Sequence, residues 1–363
     1  MRSRGSMACD PIRLVLAAVV AAACSSTGGK PVTPTALTVS DYEPARGATR
    51  LWASPDGKYL AAELIFTGDR LPAVIKVIER AAGKVVAHAR GSVVAGPDDH
   101  GEVIYVALDD RTHPVLRSTA RAELAAALPP PPGDFARWSG FRLGATHSRV
   151  AVLRQGVDGV TFSVVGLPDA AEVATRTVLS SELELLSAAV SPTDDLLYLS
   201  GRTADGGAVV ALDGGSLRER WRVAWPAGHG FDDRPALGVT GDGGIVAAFA
   251  PSGLLSIEAR RGTGARMVEF FGHTRVVLAG APGRSVLVAL RSVQESPEPA
   301  SYLIEAVELP SGQRTNLRRE STAPPPAAIA VIGTAVVVAP SAPPRSSDDP
   351  STWGPELDGF VAK

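Results

Sequence analysis

A tight turn followed by an apolar strand recurs seven times along this chain, and that repeat limits the possible folds more than any other feature. The clearest copy is Ser54-Pro55-Asp56-Gly57-Lys58-Tyr59-Leu60-Ala61-Ala62. Comparable units are PDDHGEVIYVA (97–107), ATHSRVAVL (145–153), SPTDDLLYL (191–199), TGDGGIVAA (240–248), APGRSVLVA (281–289) and VIGTAVVV (331–338). They start near 54, 98, 145, 191, 240, 281 and 331, a mean spacing of about 46 residues that suits one four-stranded sheet per repeat. Most units also carry a second hairpin: 73–89, 161–178, 208–224, 254–270 and 302–318. Each of these is a β-rich run, a Gly- or Asp-containing turn and a second run.

SPDGKYLAA is the most specific of these fragments, and it resembles the β-propellers of the WD-repeat-like and YVTN-type superfamily. The resemblance covers roughly 35–363 and implies an all-β fold, a seven-bladed β-propeller of four-stranded blades. It brings no catalytic residues with it. With 37 glycines and 29 prolines the chain favours turns over long helices, and 45% hydrophobic residues exclude a wholly disordered chain. A β-sandwich with accidental spacing is the alternative. Unit two (THPVLRSTARAELAAAL) lacks the second turn, so helix is an alternative for part of it. Unit seven is incomplete: PAAIAVIG and AVVVAPS supply two strands, a proline-rich stretch (339–355) intervenes, and DGFVAK supplies a third. The N-terminal strand TALTVS (35–40) has no blade of its own. Placed in blade seven it completes that blade and closes the ring, which removes the exposed edges.

Ahead of the repeats, Arg2, Arg4 and Arg13 precede the apolar run Leu14 to Ala23, which ends at Cys24. Ten apolar residues fall short of the ~20 that span a bilayer as a helix. A positive segment, a short apolar segment and small residues before the cut describe a secretory signal. Ala21-Ala22-Ala23-Cys24 resembles a bacterial lipobox, although lipoboxes usually carry Leu where Ala21 stands. The resemblance implies a diacylglycerol on the Cys24 thiol and an acylated amino terminus after cleavage. Asp10 is unusual in such a leader, and Met7 is an alternative start. An ordinary signal peptide cut after Ala23 and a retained anchor are the competing readings. Cys9 leaves with the signal, so Cys24 is the sole remaining cysteine and no disulfide forms within the processed chain. The small, polar residues after it read as a tether. The expected organisation is a lipoprotein signal peptide (1–23), a flexible tether (24–34) and a propeller (35–363). Ser25, where Asp often marks inner-membrane retention, favours the outer membrane of a bacterial envelope.

Catalytic chemistry finds no motif. The six histidines show no metal-ligand spacing, and no GxSxG elbow or GxxxxGK[ST] loop occurs. A net charge of −2 gives no footprint for nucleic acid. Five Asp-Asp pairs (98–99, 109–110, 194–195, 232–233 and 348–349) read as turn residues bonding their own backbone. Trp221 and Trp225 share one strand face and are expected to pack between neighbouring blades. ALDGGSLRERW resembles the repeat signature of pyrroloquinoline-quinone-type propellers, but a single copy implies kinship of fold and not a quinone. No cofactor, metal or catalytic residue is therefore assigned.

The connections between repeats are asymmetric, short at one end of the expected ring and longer and charged at the other. The long-loop end is the expected binding face, with His229, Asp232, Asp233, Arg234, His273 and Arg275 at its rim. The expectation is a monomeric, non-enzymatic, lipid-anchored propeller that holds an envelope protein or ligand. The alternatives are a scaffold lipoprotein resembling the quinone-repeat propeller of outer-membrane barrel insertion, and a propeller hydrolase or lactonase.

Overall fold

The computed structural model describes residues 36–64, 73–110, 113–122, 124–128, 137–143, 148–167, 169, 171–226, 236–250, 253–269, 275–293, 301–320 and 325–341. All the strands lie in one compact unit, Leu37–Lys363. Strand β1 (Thr38–Asp41) comes first, followed by a 3-10 turn (Glu43–Ala45). Blade one is β2 (Arg50–Ala53), β3 (Tyr59–Leu64), β4 (Val74–Glu79) and β5 (Lys84–Arg90). Blade two is β6 (Ser92–Ala95), β7 (Ile104–Asp110), β8 (His113–Ser118) and β9 (Ala126–Ala127). Blade three is β10 (Arg137–Leu143), β11 (Arg149–Gln155), β12 (Gly159–Gly166) and β13 (Glu172–Leu179). Blade four is β14 (Glu184–Val190), β15 (Leu196–Thr203), β16 (Gly206–Asp213) and β17 (Glu219–Ala224). Blade five is β18 (Ala236–Val239), β19 (Ile245–Ala250), β20 (Gly253–Glu258) and β21 (Arg266–Glu269). Blade six is β22 (Arg275–Gly280), β23 (Val286–Val293), β24 (Ser301–Glu308) and β25 (Arg314–Glu320). Blade seven has β26 (Ala328–Ile332) and β27 (Ala335–Ala339), with β1 added to it.

The strands of each blade, a to d in chain order, pair antiparallel with their neighbours. The a strands of adjacent blades lie against one another, β6 with β10, β10 with β14, β14 with β18, β18 with β22, β22 with β26 and β26 with β2. They form the inner wall. Strands b and c are sandwiched between blades and need apolar residues on both faces. Accordingly β12 (GVTFSVVG) is buried along its whole length and β4 (VIKVIE) along all but its last residue. Outermost d strands have one wet face and alternate: in β17 (ERWRVA) only Trp221 and Val223 are partly covered.

Each junction between blades has its own apolar cluster. Ile75 and Val77 meet Val93 and Val103 between blades one and two, and Ile104 and Leu116 meet Val150 and Val165 between two and three. Phe162 and Leu153 meet Leu197 and Val210 between three and four; Tyr198 and Trp225 meet Val246 and Leu255 between four and five. Phe249 meets Leu287 and Val307, Val288 and Ile304 meet Val331 and Val336, and Val337 and Ala330 meet Leu60 and Ile78, which carries the packing through blades six and seven back to blade one. Seven junctions close a seven-bladed ring.

The N-terminal strand joins blade seven as expected, over 38–41 instead of 35–40. It pairs with β27 in register Thr38↔Ala335 to Asp41↔Val338, and the pairing is parallel, unlike the antiparallel ladders within the other blades. Arg318 of β25 latches it from blade six, through Nη1 to Asp41 Oδ1 at 2.7 Å and Nη2 to the Val39 carbonyl at 3.4 Å. The segment DGFVAK (358–363) lies outside the described residues. Blade two is corrected: its second half is strand, β8 and the two-residue β9, with no helix among the described residues. A seven-residue c–d connection (119–125) replaces the tight turn there. It is organised by Ser118 and Arg121, both bonded to Glu102 at 2.5 Å.

Candidate functional site

The two ends of the ring differ in how the chain crosses them. At one end the a–b connections are five residues in five blades (54–58, 144–148, 191–195, 240–244 and 281–285), eight in blade two (96–103) and two in blade seven (333–334). At the other, b–c and d–a connections range from the single Gly91 between β5 and β6 to 225–235 between β17 and β18.

Local hydrogen bonding shapes the turns of blades one and five. The Ser54 hydroxyl donates to Asp56 Oδ1 at 2.6 Å, Lys58 N–H donates to the same oxygen, and Tyr59 N–H returns to Ser54 Oγ. Thr240, Asp242, Gly244 and Ile245 repeat this arrangement in blade five. Hydrogen bonds from Ser54 and from the Lys58 backbone hold the Asp56 carboxyl below the usual carboxylate range. Asp98 Oδ1 likewise accepts from the backbones of His100 and Glu102. These are turn roles, as expected for the 98–99 pair. Asp109 and Asp110 instead end strand β7, and the pairs 232–233 and 348–349 lie outside the described residues. Turns of successive blades are also stitched together. Asp56 N–H donates to Asp99 Oδ1, Ser285 donates to Asp242, and Gly283 N–H donates to the Gly241 carbonyl.

Of the rim positions expected at the long-loop end, His229, Asp232, Asp233, Arg234 and His273 lie outside the described residues, as does Cys24. Arg275 opens β22 opposite Ser292.

A cleft of about 570 Å³ opens at the turn end, between blades four and five. Its lining is Asp194, Asp195, Leu196, Asp213, Arg220, Trp221, Arg260 and Arg261. The a–b turn of blade four supplies Asp194 and Asp195, and Leu196 opens β15. Asp213 ends β16 of the same blade, Arg220 and Trp221 lie on β17, and the c–d turn of blade five supplies the two remaining arginines. Asp213 is the acid of the ALDGG signature, and its role is structural. Its Oδ1 accepts from Gly215 N–H, Ser216 N–H and the Ser216 hydroxyl, and its Oδ2 takes Arg220 Nη2 at 2.7 Å. Burial pushes its carboxyl up, but the bonds from Ser216, Arg220 and Gly215 together outweigh this and leave it lowered. Asp194 pairs with Arg260 Nε at 2.9 Å, and Asp195 with Arg149 of blade three. Trp221 and Tyr198, with ring centres 5.9 Å apart, both donate to the Ala259 carbonyl. Trp225, on the same strand face, is buried in the junction cluster, so both tryptophans pack between blades. Among the described residues no group of three or more His, Cys, Asp or Glu side chains is placed to hold a metal ion. Sequence reading missed this cleft. Its only trace is arginine beside two successive c–d turns, RERW in blade four and RR in blade five.

No family model and no curated protein matches the sequence. Solved structures do. The β-propeller domain of Cps50 (Swd1) from Myceliophteria thermophila aligns with a TM-score of 0.54 at 12% identity, over 81% of this chain and 91% of that one. The Dos1 propeller aligns with a TM-score of 0.53 at 10% identity, over 80% of this chain and 74% of that one. The protein has a WD40-like, seven-bladed β-propeller fold.

Proposed function

We propose that this chain is a lipid-anchored binding propeller of the bacterial envelope, non-catalytic, which holds a protein or ligand on its long-loop end. The observation that carries the binding role is the contrast between the ends. Five of the seven a–b turns are five residues long, and those of blades one and five are held by Ser, Thr and Asp hydrogen bonds, while the connections opposite run from one to eleven residues. A rigid scaffold that carries variable loops at one end is the arrangement binding proteins use. The anchor rests on the leader and on Cys24. The Asp-rich and Arg-rich rim (His229, Asp232, Asp233, Arg234, His273 and Arg275) supplies charged contacts to the partner.

Two experiments test this reading. Metabolic labelling with a palmitate analogue marks the wild-type chain and not Cys24→Ser, because acylation needs the thiol; a labelled mutant removes the anchor from the proposal. For the binding end, crosslinked partners are recovered from envelope membranes with two multiple mutants. One neutralises Asp232, Asp233, Arg234 and Arg275. The other neutralises Lys84, Glu219 and Arg314, all exposed at the turn end. Loss of the partner with the first set alone is expected. Loss with the second set alone assigns binding to the other end.

A further inference from the structure

We propose that the long-loop end of blades three and four docks a protein segment that carries basic side chains beside apolar ones. The inference rests on the binding role proposed above and names its partner's chemistry. Large apolar side chains exposed among the described residues are Val86, Val157, Val173 and Leu179. Val86 and Val173 stand singly on d strands, toward the turn end. Val157 and Leu179, 68% and 47% exposed, flank one hairpin tip at the long-loop end. Val157 lies in the turn between β11 and β12, which Gly156 N–H closes by donating to the Gly159 carbonyl at 2.9 Å. Such turns favour Gly, Asn and Asp, and an exposed valine there adds little to the core. Leu179 ends β13 opposite Gly159, and Ser180 ties it to the turn: its N–H donates to the Asp158 carbonyl and its hydroxyl to the Val157 carbonyl.

Free acids accompany the pair. Asp158 follows Val157 in the turn, Glu182 follows Leu179 in the next connection, and Asp205 stands at the matching tip of blade four, between β15 and β16. All three are exposed, and their carboxylates take no hydrogen bond or ion pair among the described residues. Gln155 Nε2 donates to the Leu185 carbonyl at 3.3 Å, which sets the end of β11 beside β14 of blade four. Arg202 of that blade is held by Glu184 at 3.4 Å. Across the strand ends and connections of these two blades at this end (129–137, 154–159, 179–184, 202–206 and 225–235), the sequence carries seven Asp or Glu against four Arg. The acid excess repels anionic lipid and nucleic acid, and a second copy would set like charges against one another. Lysine or arginine beside an apolar side chain suits both parts of the surface. The charge meets the three free carboxylates, and the apolar group covers Val157 and Leu179.

Fluorescence anisotropy of the full chain in uncharged detergent, with detergent alone as the baseline, tests the assignment with three labelled peptides capped at both ends. One alternates lysine and leucine, the second has glutamate for lysine, and the third has serine for leucine. The lysine–leucine peptide is expected to bind, and the other two to bind at least about tenfold more weakly. Val157→Ser with Leu179→Ser should weaken the first peptide about tenfold. Asp158→Asn with Glu182→Gln and Asp205→Asn should weaken it about fivefold and remove its dependence on salt. Val86→Ser, an exposed apolar change toward the turn end, should leave it unchanged. Every substituted side chain is exposed, so the fold is retained, which circular dichroism checks. Equal binding of the three peptides, binding of none, or indifference of the first to both multiple variants overturns the proposal. Capture of phosphatidylglycerol vesicles that both variants abolish assigns the surface to lipid and also overturns it. The envelope crosslinking separates this inference from the reading beneath it. A partner lost with the rim mutant but kept by both variants here overturns the inference alone; a partner lost only with the turn-end set overturns the reading.

Discussion

At Gly241 two blades meet with no space for a side chain: an added Cβ would run into the carbonyl oxygen of Ala281 in the next turn. Gly57 is constrained twice, by a φ of 72° and by Ile332 of blade seven against its Cα. Gly241→Ala should therefore separate the turns of blades five and six and cost about 1–3 kcal/mol, the range for overpacking a tight contact. Gly264→Ala, which has nothing within 4 Å, should cost only the backbone strain of about 1 kcal/mol. Thermal melts of the two variants make the comparison, and equal losses would show that the turn-to-turn approach is not under steric control. Titrating residues at this scale pull in opposite directions. Asp213 and Asp242 have folded pKa values below the ordinary 3.8, so their contribution is complete above that value and disappears as the pH falls through the lowered ones. Glu63 is buried, and desolvation raises its pKa against the pull of Arg50 3.4 Å away. Its contribution is greatest below the ordinary 4.5 and falls as the pH climbs through the raised value. Glu63→Gln mimics the protonated form, so its melting temperature should improve relative to wild type between pH 4.5 and pH 8. A difference that does not change with pH would show that Glu63 is as well solvated as an exposed acid.

Among the elements, β1 bears the closure of the ring. Removing residues 35–40 should lower the melting temperature while removing 25–33 leaves it unchanged, because only the first deletion takes ladder residues. Arg318→Ala should weaken the same closure by about 1 kcal/mol, a surface ion pair with one added backbone bond. Its signature is faster hydrogen exchange confined to β1 and β27. Equal exchange in the two proteins would assign the closure to strand pairing alone. The b strands and a–b turns were legible in the sequence because their signals are local: Ser54, Asp56 and Gly57 bond within the turn they build. The direction of β1 was not legible. A short alternating strand pairs either way, and its partner β27 is decided by packing against Val288 and Ile304 of blade six. Helix was an alternative in unit two because LRSTARAELAAAL is rich in helix formers. The neighbouring sheet overrides that preference, with Leu116, Leu124 and Leu128 buried against Val150 and Val165. The cleft was illegible for another reason. Asp194, Trp221 and Arg260 belong to three separate hairpins, and each looks like an ordinary turn or strand residue until two blades stand side by side.

For the whole molecule, seven junctions in a ring mean that each blade is held on two sides. Phe162 is fully buried between blades three and four. Phe162→Ala should cost about 3–5 kcal/mol, as large-to-small core changes do, and the loss should reach blades far from the site. Tryptophan fluorescence and far-ultraviolet circular dichroism should therefore show coincident transitions in wild type and mutant. Separate transitions would mean that blades unfold as independent repeats. The pairing of Thr38 with Ala335 also sets an order in time. The strand that closes the ring leaves the ribosome about 300 residues before the strand that receives it. Until β27 is made, every earlier blade can form and stack, yet the growing arc keeps two open flanks, blade one's outward face and the face of the newest blade. For a chain read as crossing a membrane before it folds, those flanks are the surfaces a chaperone has to cover, and the last five-residue strand is what relieves it of the task.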